Sequence, residues 1–258
     1  MQIILSPSKT QNFYTGASLV TKSPRFLTKT AVLAKHLKSY SVADLSKLMK
    51  MSDKLAEQTY ADFQNWTIEH EPSSQAKLGV AIYAYRGAAF SGFELSQYQA
   101  DDLDYLDKHV NIISGFYGLL SALDLIQAYR LELGLRWAFK NKQKQYKNLY
   151  EYWQQDINNA LAEKGETIIN LASLEYSKII DKKRLKIIDI EFKIKKDNKL
   201  KTVGIYAKQQ RGSFANWLIK NRIESTEALK KYQNAGFRFE GIGSSQNSLL
   251  FVKNVNAN

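Results

Sequence analysis

Residues 112–134 read IISGFYGLLSALDLIQAYRLELG. An apolar run breaks at Gly115 and again at Gly118, resumes, and ends on Arg130 and Glu132. So apolar a segment belongs in the interior, which leaves two glycines three apart and a terminal cation–anion pair to be explained. Two readings of the glycines stand. Glycine has no side chain in the way, so a short turn between apolar segments can bring backbone amides against a phosphate. Helix-hairpin-helix DNA-binding elements use such a turn, usually with one apolar residue between the glycines, whereas GFYG has two. The plainer reading is a tight packing corner, and the spacing alone favours it. Arg130 and Glu132 are in the same way either cleft residues or a buried structural ion pair.

Working outward, NIIS before the glycines reads as a buried strand, preceded by a helix over DDLDYLDKHV with its carboxylates at the positive end. QIIL at the start of the chain is a short buried strand running into the loop SPSKT. Ser23 and Pro24 predict a helix start, with the helix running toward Tyr40. Ser41 and Ser52 are the next caps, before VADLSKLMK and DKLAEQTYADFQNW. A further helix is expected over SQAKLGVAIYAY, ending at Gly87. After Gly134, LYEYWQQDINNALAEKG is an amphipathic helix stopped by Gly165, and TIINLAS a strand leading into the short helix LEYSKII. LKIIDIEFKIKKD and KTVGIYAKQ alternate apolar and polar residues and predict a hairpin, with a helix near GSFANWLIKNR after it. FRFEGIG and SLLFVK close the sheet. Helices and strands mix throughout without repeats or a linker, so the expectation is one compact α+β domain over 1–258 with a sheet that is not all parallel.

The charge balance bears on partners. The chain carries 37 Lys and Arg against 25 Asp and Glu, a net charge of +12 that favours polyanions. The excess sits at the two ends: eight basic residues and one acid in 1–50, nine and three in 201–258, so the ends would form one basic face if they meet. Cysteine is absent, which excludes disulfides, thiolate metal sites and cysteine nucleophiles. The histidines His36, His70 and His109 have no metal-binding spacing, so a histidine-rich metal site is not expected, while a carboxylate site stays open in the background. Neither a metal nor a cofactor is assigned. No stretch approaches the roughly 20 apolar residues of a membrane span, and the start lacks signal-peptide features. A cytoplasmic monomer with no membrane partner is expected.

Four loops gather polar residues where strands end. SPSKT offers Ser6 and Lys9 for an anion, without the glycines of a Walker loop. SDKLA places Lys54 in the first turn of a helix, where it opposes the helix dipole. NLASLEYSK offers Asn170, Ser173, Glu175 and Tyr176, with no triad among them. In YAKQQRGSFANW, Lys208 and Arg211 are expected to leave a strand end, and Gly212 to turn the backbone before a new helix. That order makes a credible phosphate site.

Taken together, SPSKT, SDKLA, IISGFYGLLSALDLIQAYRLELG, LYEYW, NLASLEY and YAKQQRG resemble, in order and spacing, the YaaA peroxide-stress family over nearly the whole chain. Ser114, Gly115, Tyr117, Gly118, Asp124, Tyr129, Arg130, Glu132 and Gly134 match its central motif. Ser6, Pro7, Lys9 and Thr10 match the first loop, and Ser52, Asp53 and Lys54 the second. Further on, Asn170, Ser173, Glu175 and Tyr176, then Tyr206, Lys208, Arg211 and Gly212, match the later ones. The chain departs at Ser121 and Ala122, where the family often has arginine-proline, and at Ala128 and Leu133. The resemblance implies an α+β protein with a helix-hairpin-helix-like element beside a basic cleft. It also implies binding of duplex DNA and a role in limiting unincorporated iron under peroxide stress. On that basis Lys9, Lys54, Ser114, Gly115, Gly118, Arg130, Lys208, Arg211 and Gly212 are expected at DNA or another anion, with Ser6, Glu132, Asn170, Ser173 and Tyr176 lining the cleft. The alternative is an enzyme acting on a small anionic substrate or nucleotide in the same cleft, its reaction unspecified, with Glu132, Ser173 or Tyr176 handling protons.

Overall fold

QIIL becomes strand β1 (Gln2–Leu5), buried at every position. Unbroken burial marks a strand covered on both faces. β1 pairs in parallel with β2 (Val110–Ser114) on one side, Ile3 opposite Val110. On its other side it pairs in parallel with β4 (Thr167–Asn170), Ile3 opposite Ile169. β3 (Gly118–Ser121) returns antiparallel along β2. Beyond β4 lie β5 (Lys186–Lys196), also parallel, and then β9 (Ser248–Asn254), parallel to β5. β8 (Phe237–Ile242) and β7 (Gln233–Asn234) close that edge antiparallel, and β6 (Lys199–Lys201) folds back on β5. The nine-stranded sheet thus runs β7-β8-β9-β5-β4-β1-β2-β3, with β6 beside β5. The computed structural model describes residues 1–13, 21–69 and 77–255.

The winding fixes where a site can form. From β1 the chain moves to β2 on one flank, then crosses back and continues outward from the other flank through β4, β5 and β9. The direction reverses between β1 and β4, and loops leaving two neighbouring carboxyl ends diverge there, opening a crevice.

Helices cover the sheet: α1 (Leu27–Lys38), α2 (Val42–Met49), α3 (Asp53–Asn65), α4 (Ala100–His109), α5 (Leu149–Lys164), the single turn α6 (Leu174–Ser177) and α7 (Gly204–Lys220). Ser41 caps α2 in a reciprocal box with Asp44. Asn148 accepts the Glu151 amide at the start of α5, and Gly165 (φ 147°) ends that helix. No helix among the described residues is long and apolar enough to cross a membrane.

Four expectations change. Residues 112–134 are not a helix-hairpin-helix: strands flank Gly115 and Gly118, and the turn joins β2 to β3. The helix expected after Ser23 and Pro24 begins only at Leu27 and has no side-chain cap, because Lys22 is held extended by its backbone bridge to Asp124. Of the helix expected over 74–85, residues 74–76 lie outside those described, as does His70; Leu78–Val80 instead pairs antiparallel with Leu125–Gln127, leaving one helical turn at Ala81–Ala84. The amides of Ala81 and Ile82 are bonded to Asp124 and Ala122 rather than to a preceding turn. Last, the returning hairpin arm is only Lys199–Lys201, so of KTVGIYAKQ only Lys201 is in a strand, and α7 starts at Gly204. Ala207, Phe214, Ala215, Leu218 and Ile219 are its buried apolar residues, recurring at helical spacing from 214 onward.

Candidate functional site

The opening glycines serve close packing. A Cβ at Gly115 would sit 2.5 Å from the carbonyl oxygen of Leu131, so its absence lets the returning strip 131–133 lie flat on the turn. At Gly118 (φ 75°) a Cβ would lie 2.8 Å from the Trp153 ring, and the Trp153 indole N–H donates to the Gly115 carbonyl at 2.9 Å. Ser114 Oγ accepts the amides of Phe116 and Tyr117 and bonds the Tyr129 hydroxyl at 2.7 Å; Tyr129 in turn meets Tyr85 at 2.6 Å. Ser114, Gly115 and Gly118 are buried and have no surface to offer a phosphate. What the turn does is aim Arg130 and Glu132 outward.

Those two residues enter a ring of charge. Lys9 Nζ lies 2.7 Å from Glu132 Oε1, and Arg130 Nη2 lies 4.0 Å from the same oxygen. The Arg130 Nε is buried without a hydrogen-bond partner among the described residues. Lys9, Arg130, Glu132 and Tyr176 share a narrow slot. Beside it, at the β1/β4 reversal, opens a cavity of about 620 Å³. Ser6 from the β1 loop and Ser173 from the β4 loop meet there, hydroxyl to hydroxyl at 3.2 Å, with the Ser173 amide donating to Ser6 Oγ at 2.8 Å. Ser8, Lys9, Arg86, Glu175, Tyr176, Lys208 and Arg211 also line it, with Leu171, Phe90 and Ile205 among its apolar residues.

Lys208 and Arg211 stand in the second and third turns of α7, not at a strand end as expected, and reach the cavity from the helix face. Gly212 faces away from this chemistry: a Cβ there would fall 1.7 Å from the Ala89 carbonyl oxygen, so the glycine lets α7 press on the 88–92 segment. Asn170 is spent on structure, donating to Asp189 at 2.6 Å and accepting the Ala172 amide at 2.9 Å. Burial drives the Tyr176 phenol far above the usual tyrosine range, which leaves it a neutral hydroxyl and unsuits it to carry protons near neutrality. Burial also lowers the Arg211 guanidinium, which has no ion pair or hydrogen bond among the described residues.

On the far side of Glu132 and Glu175 lies a wider groove of about 1000 Å³. Gly134 donates to Glu175 at 2.9 Å and so fixes this shared wall. Lys47, Lys50, Arg136 and Lys178 line the groove. Lys54 lines neither concavity, but stands exposed in the first turn of α3, next to the turn that holds Lys50. Sequence reasoning missed Arg86, Lys47, Lys50, Arg136 and Lys178. For Arg86 the signal was the turn glycine that follows it; for Lys47 and Lys50 it was the basic excess of the first fifty residues. Among the described residues no group of three or more His, Cys, Asp or Glu side chains is placed to hold a metal ion.

Comparison with known proteins gives the family. The family model described as peroxide stress protein YaaA matches residues 1–242. The chain is 38% identical over 260 residues to a UPF0246 protein of Marinomonas sp. strain MWYL1, covering 98% of this chain and 97% of that one. It is 38% identical to a UPF0246 protein of Acaryochloris marina and 37% to one of Francisella philomiragia, covering 98% of this chain and all of each relative. With a match of that length, the chain belongs to the peroxide stress protein YaaA family.

Proposed function

We propose that the protein acts in peroxide stress by binding duplex DNA, through phosphate contacts centred on the turn between α2 and α3. The observation that carries this is the build of that turn. Two helices are joined by Lys50, Met51 and Ser52 alone, with Lys50 in the left-handed region at φ 51°. Ser52 stands at the cap position of α3 yet its hydroxyl makes no cap bond, so the first-turn amides lack the side-chain partner that Ser41 gives α2. Uncapped amides at the positive end of a helix are an anion site, and a lysine there gains what the helix dipole alone would deny it. Lys47, Lys50 and Lys54 are all exposed around this end, and Arg136 and Lys178 extend the positive surface along the groove. The helix-hairpin-helix role thus moves from the glycine turn to α2–α3.

Phosphate contacts give affinity with little base specificity and make binding salt-dependent. The test is fluorescence anisotropy with a labelled duplex, comparing wild type with Lys47→Gln/Lys50→Gln/Lys54→Gln. Each phosphate neutralised contributes about 0.9 to the slope of log K against log salt, so the triple variant is expected to lose up to about 3 from that slope. An unchanged slope in a folded variant would refute the assignment. The reading puts the protein at the molecule that iron-driven oxidation damages.

A further inference from the structure

We infer that the cavity at the β1/β4 reversal is a separate binding site for a phosphomonoester with a flat apolar body, the chemistry of a nucleoside monophosphate. Its volume of about 620 Å³ falls in the range of small-molecule sites, and its position is where open α/β sheets hold ligands. Size and place are general; the lining is specific.

Arg211 decides the charge of the ligand. A guanidinium partly withdrawn from water normally finds a carboxylate, because an uncompensated charge in such a place is costly. Arg211 has no such partner among the described residues, although it lines the cavity. Lys208 stands three residues earlier on the same helix, also without an ion pair, and Arg86 lines the same cavity. Glu132 already neutralises Lys9 at 2.7 Å, and Glu175 is engaged by the Gly134 amide. Three cations without an ion pair therefore face one space against the single carboxylate of Glu175, an excess of two that matches a dianion better than a carboxylate. The planar fork of Arg211 suits two phosphate oxygens, and the Ser6 and Ser173 hydroxyls can donate to a third.

The apolar lining decides the rest of the ligand. Phe90, Leu171 and Ile205 offer apolar surface, with Ile205 59% exposed although it belongs to a helix that packs on the sheet. Inorganic phosphate would leave that wall wet; a flat ring attached to the phosphate would cover it. The site also differs from the DNA surface: the cavity and the groove share Glu175, but no cation lines both.

Isothermal titration of the intact protein with adenosine and guanosine 5′-monophosphates, adenosine, ribose 5-phosphate and inorganic phosphate tests this. At least one nucleoside monophosphate is expected to bind at least tenfold tighter than adenosine and than either of the other phosphates. Arg211→Gln is expected to weaken it at least tenfold while leaving the melting temperature unchanged or higher, since an unpaired charge is being removed. Duplex binding by Arg211→Gln is expected at the wild-type level, so loss of one reading leaves the other standing. No binding of either nucleotide at millimolar concentration would overturn the inference. So would equal binding of ribose 5-phosphate, or nucleotide binding indifferent to Arg211→Gln.

Discussion

Replacing Asp124 by asparagine should stabilise the protein at alkaline pH and leave it nearly unchanged at acid pH. Asp124 is 4% exposed, and its Oδ2 accepts the Ser121 amide at 2.9 Å. Burial is the main cause that pushes its carboxyl from 3.8 up to about 7; nearby Asp107 pushes the same way, and the Ser121 amide with Lys164 and Lys22 only partly oppose this. A carboxyl whose folded pKa lies above its unfolded value takes up a proton on folding between the two. Its stabilising contribution is therefore complete below about 4 and is lost as pH rises through about 7. The gap between 3.8 and about 7, at roughly 1.4 kcal/mol per pH unit, amounts to about 4 kcal/mol, of which about 3 falls between pH 5 and 8. Asparagine keeps an oxygen for the Ser121 amide and never ionises. Urea unfolding of both proteins from pH 5 to 8 should show the stability of the variant relative to wild type growing by about 3 kcal/mol. Reading the difference cancels other titrating groups, such as His109, whose pKa burial lowers and which destabilises the fold as pH falls. A difference that stays constant across this range would refute the reasoning.

Three further substitutions probe the packing. Gly212→Ala would gain about 1 kcal/mol of helix propensity in an open helix, but a Cβ 1.7 Å from the Ala89 carbonyl should make it destabilising by on the order of 3 kcal/mol in urea; a neutral result would mean that α7 and the 88–92 segment separate easily. Asp102, which ion-pairs Lys220 at 2.9 Å and Arg222 at 2.8 Å, is held well below the usual carboxylate range by the Lys220 contact first. Asp102→Asn should cost about 2 kcal/mol at pH 7, and because the depressed pKa contributes fully above the ordinary carboxylate value and is lost as pH falls through the folded one, that gap should narrow progressively as pH drops below about 4. Trp153→Phe removes the bond to the Gly115 carbonyl and should cost about 1–2 kcal/mol, read as a lowered melting temperature.

Much of the sheet was legible because its central strands are short, unbroken apolar runs, and α5 because its pattern is amphipathic and Gly165 marks its end. The start of α7 was hidden by chance alternation: Val203, Ile205 and Ala207 read as one face of a strand, yet Ile205 is exposed on a helix. The site was legible as residue types and illegible as a place. Ser6 and Ser173 are 167 positions apart, and only the crossing from β2 back to β4 sets their loops side by side. The glycine motif was given a ligand it cannot reach, because its demand for close backbone approach has the same sequence signature as a phosphate turn. The lysine at 54, which its own helix dipole disfavours, is the residue of the second loop that the proposed DNA surface uses.

Hydrogen exchange on the intact protein with and without duplex DNA tests the central claim most directly. The account predicts slowed exchange over the α2–α3 turn, residues 50–56, with the buried glycine turn at 114–118 unaffected. Protection confined to other surfaces, with 50–56 unchanged at saturating duplex, would contradict it.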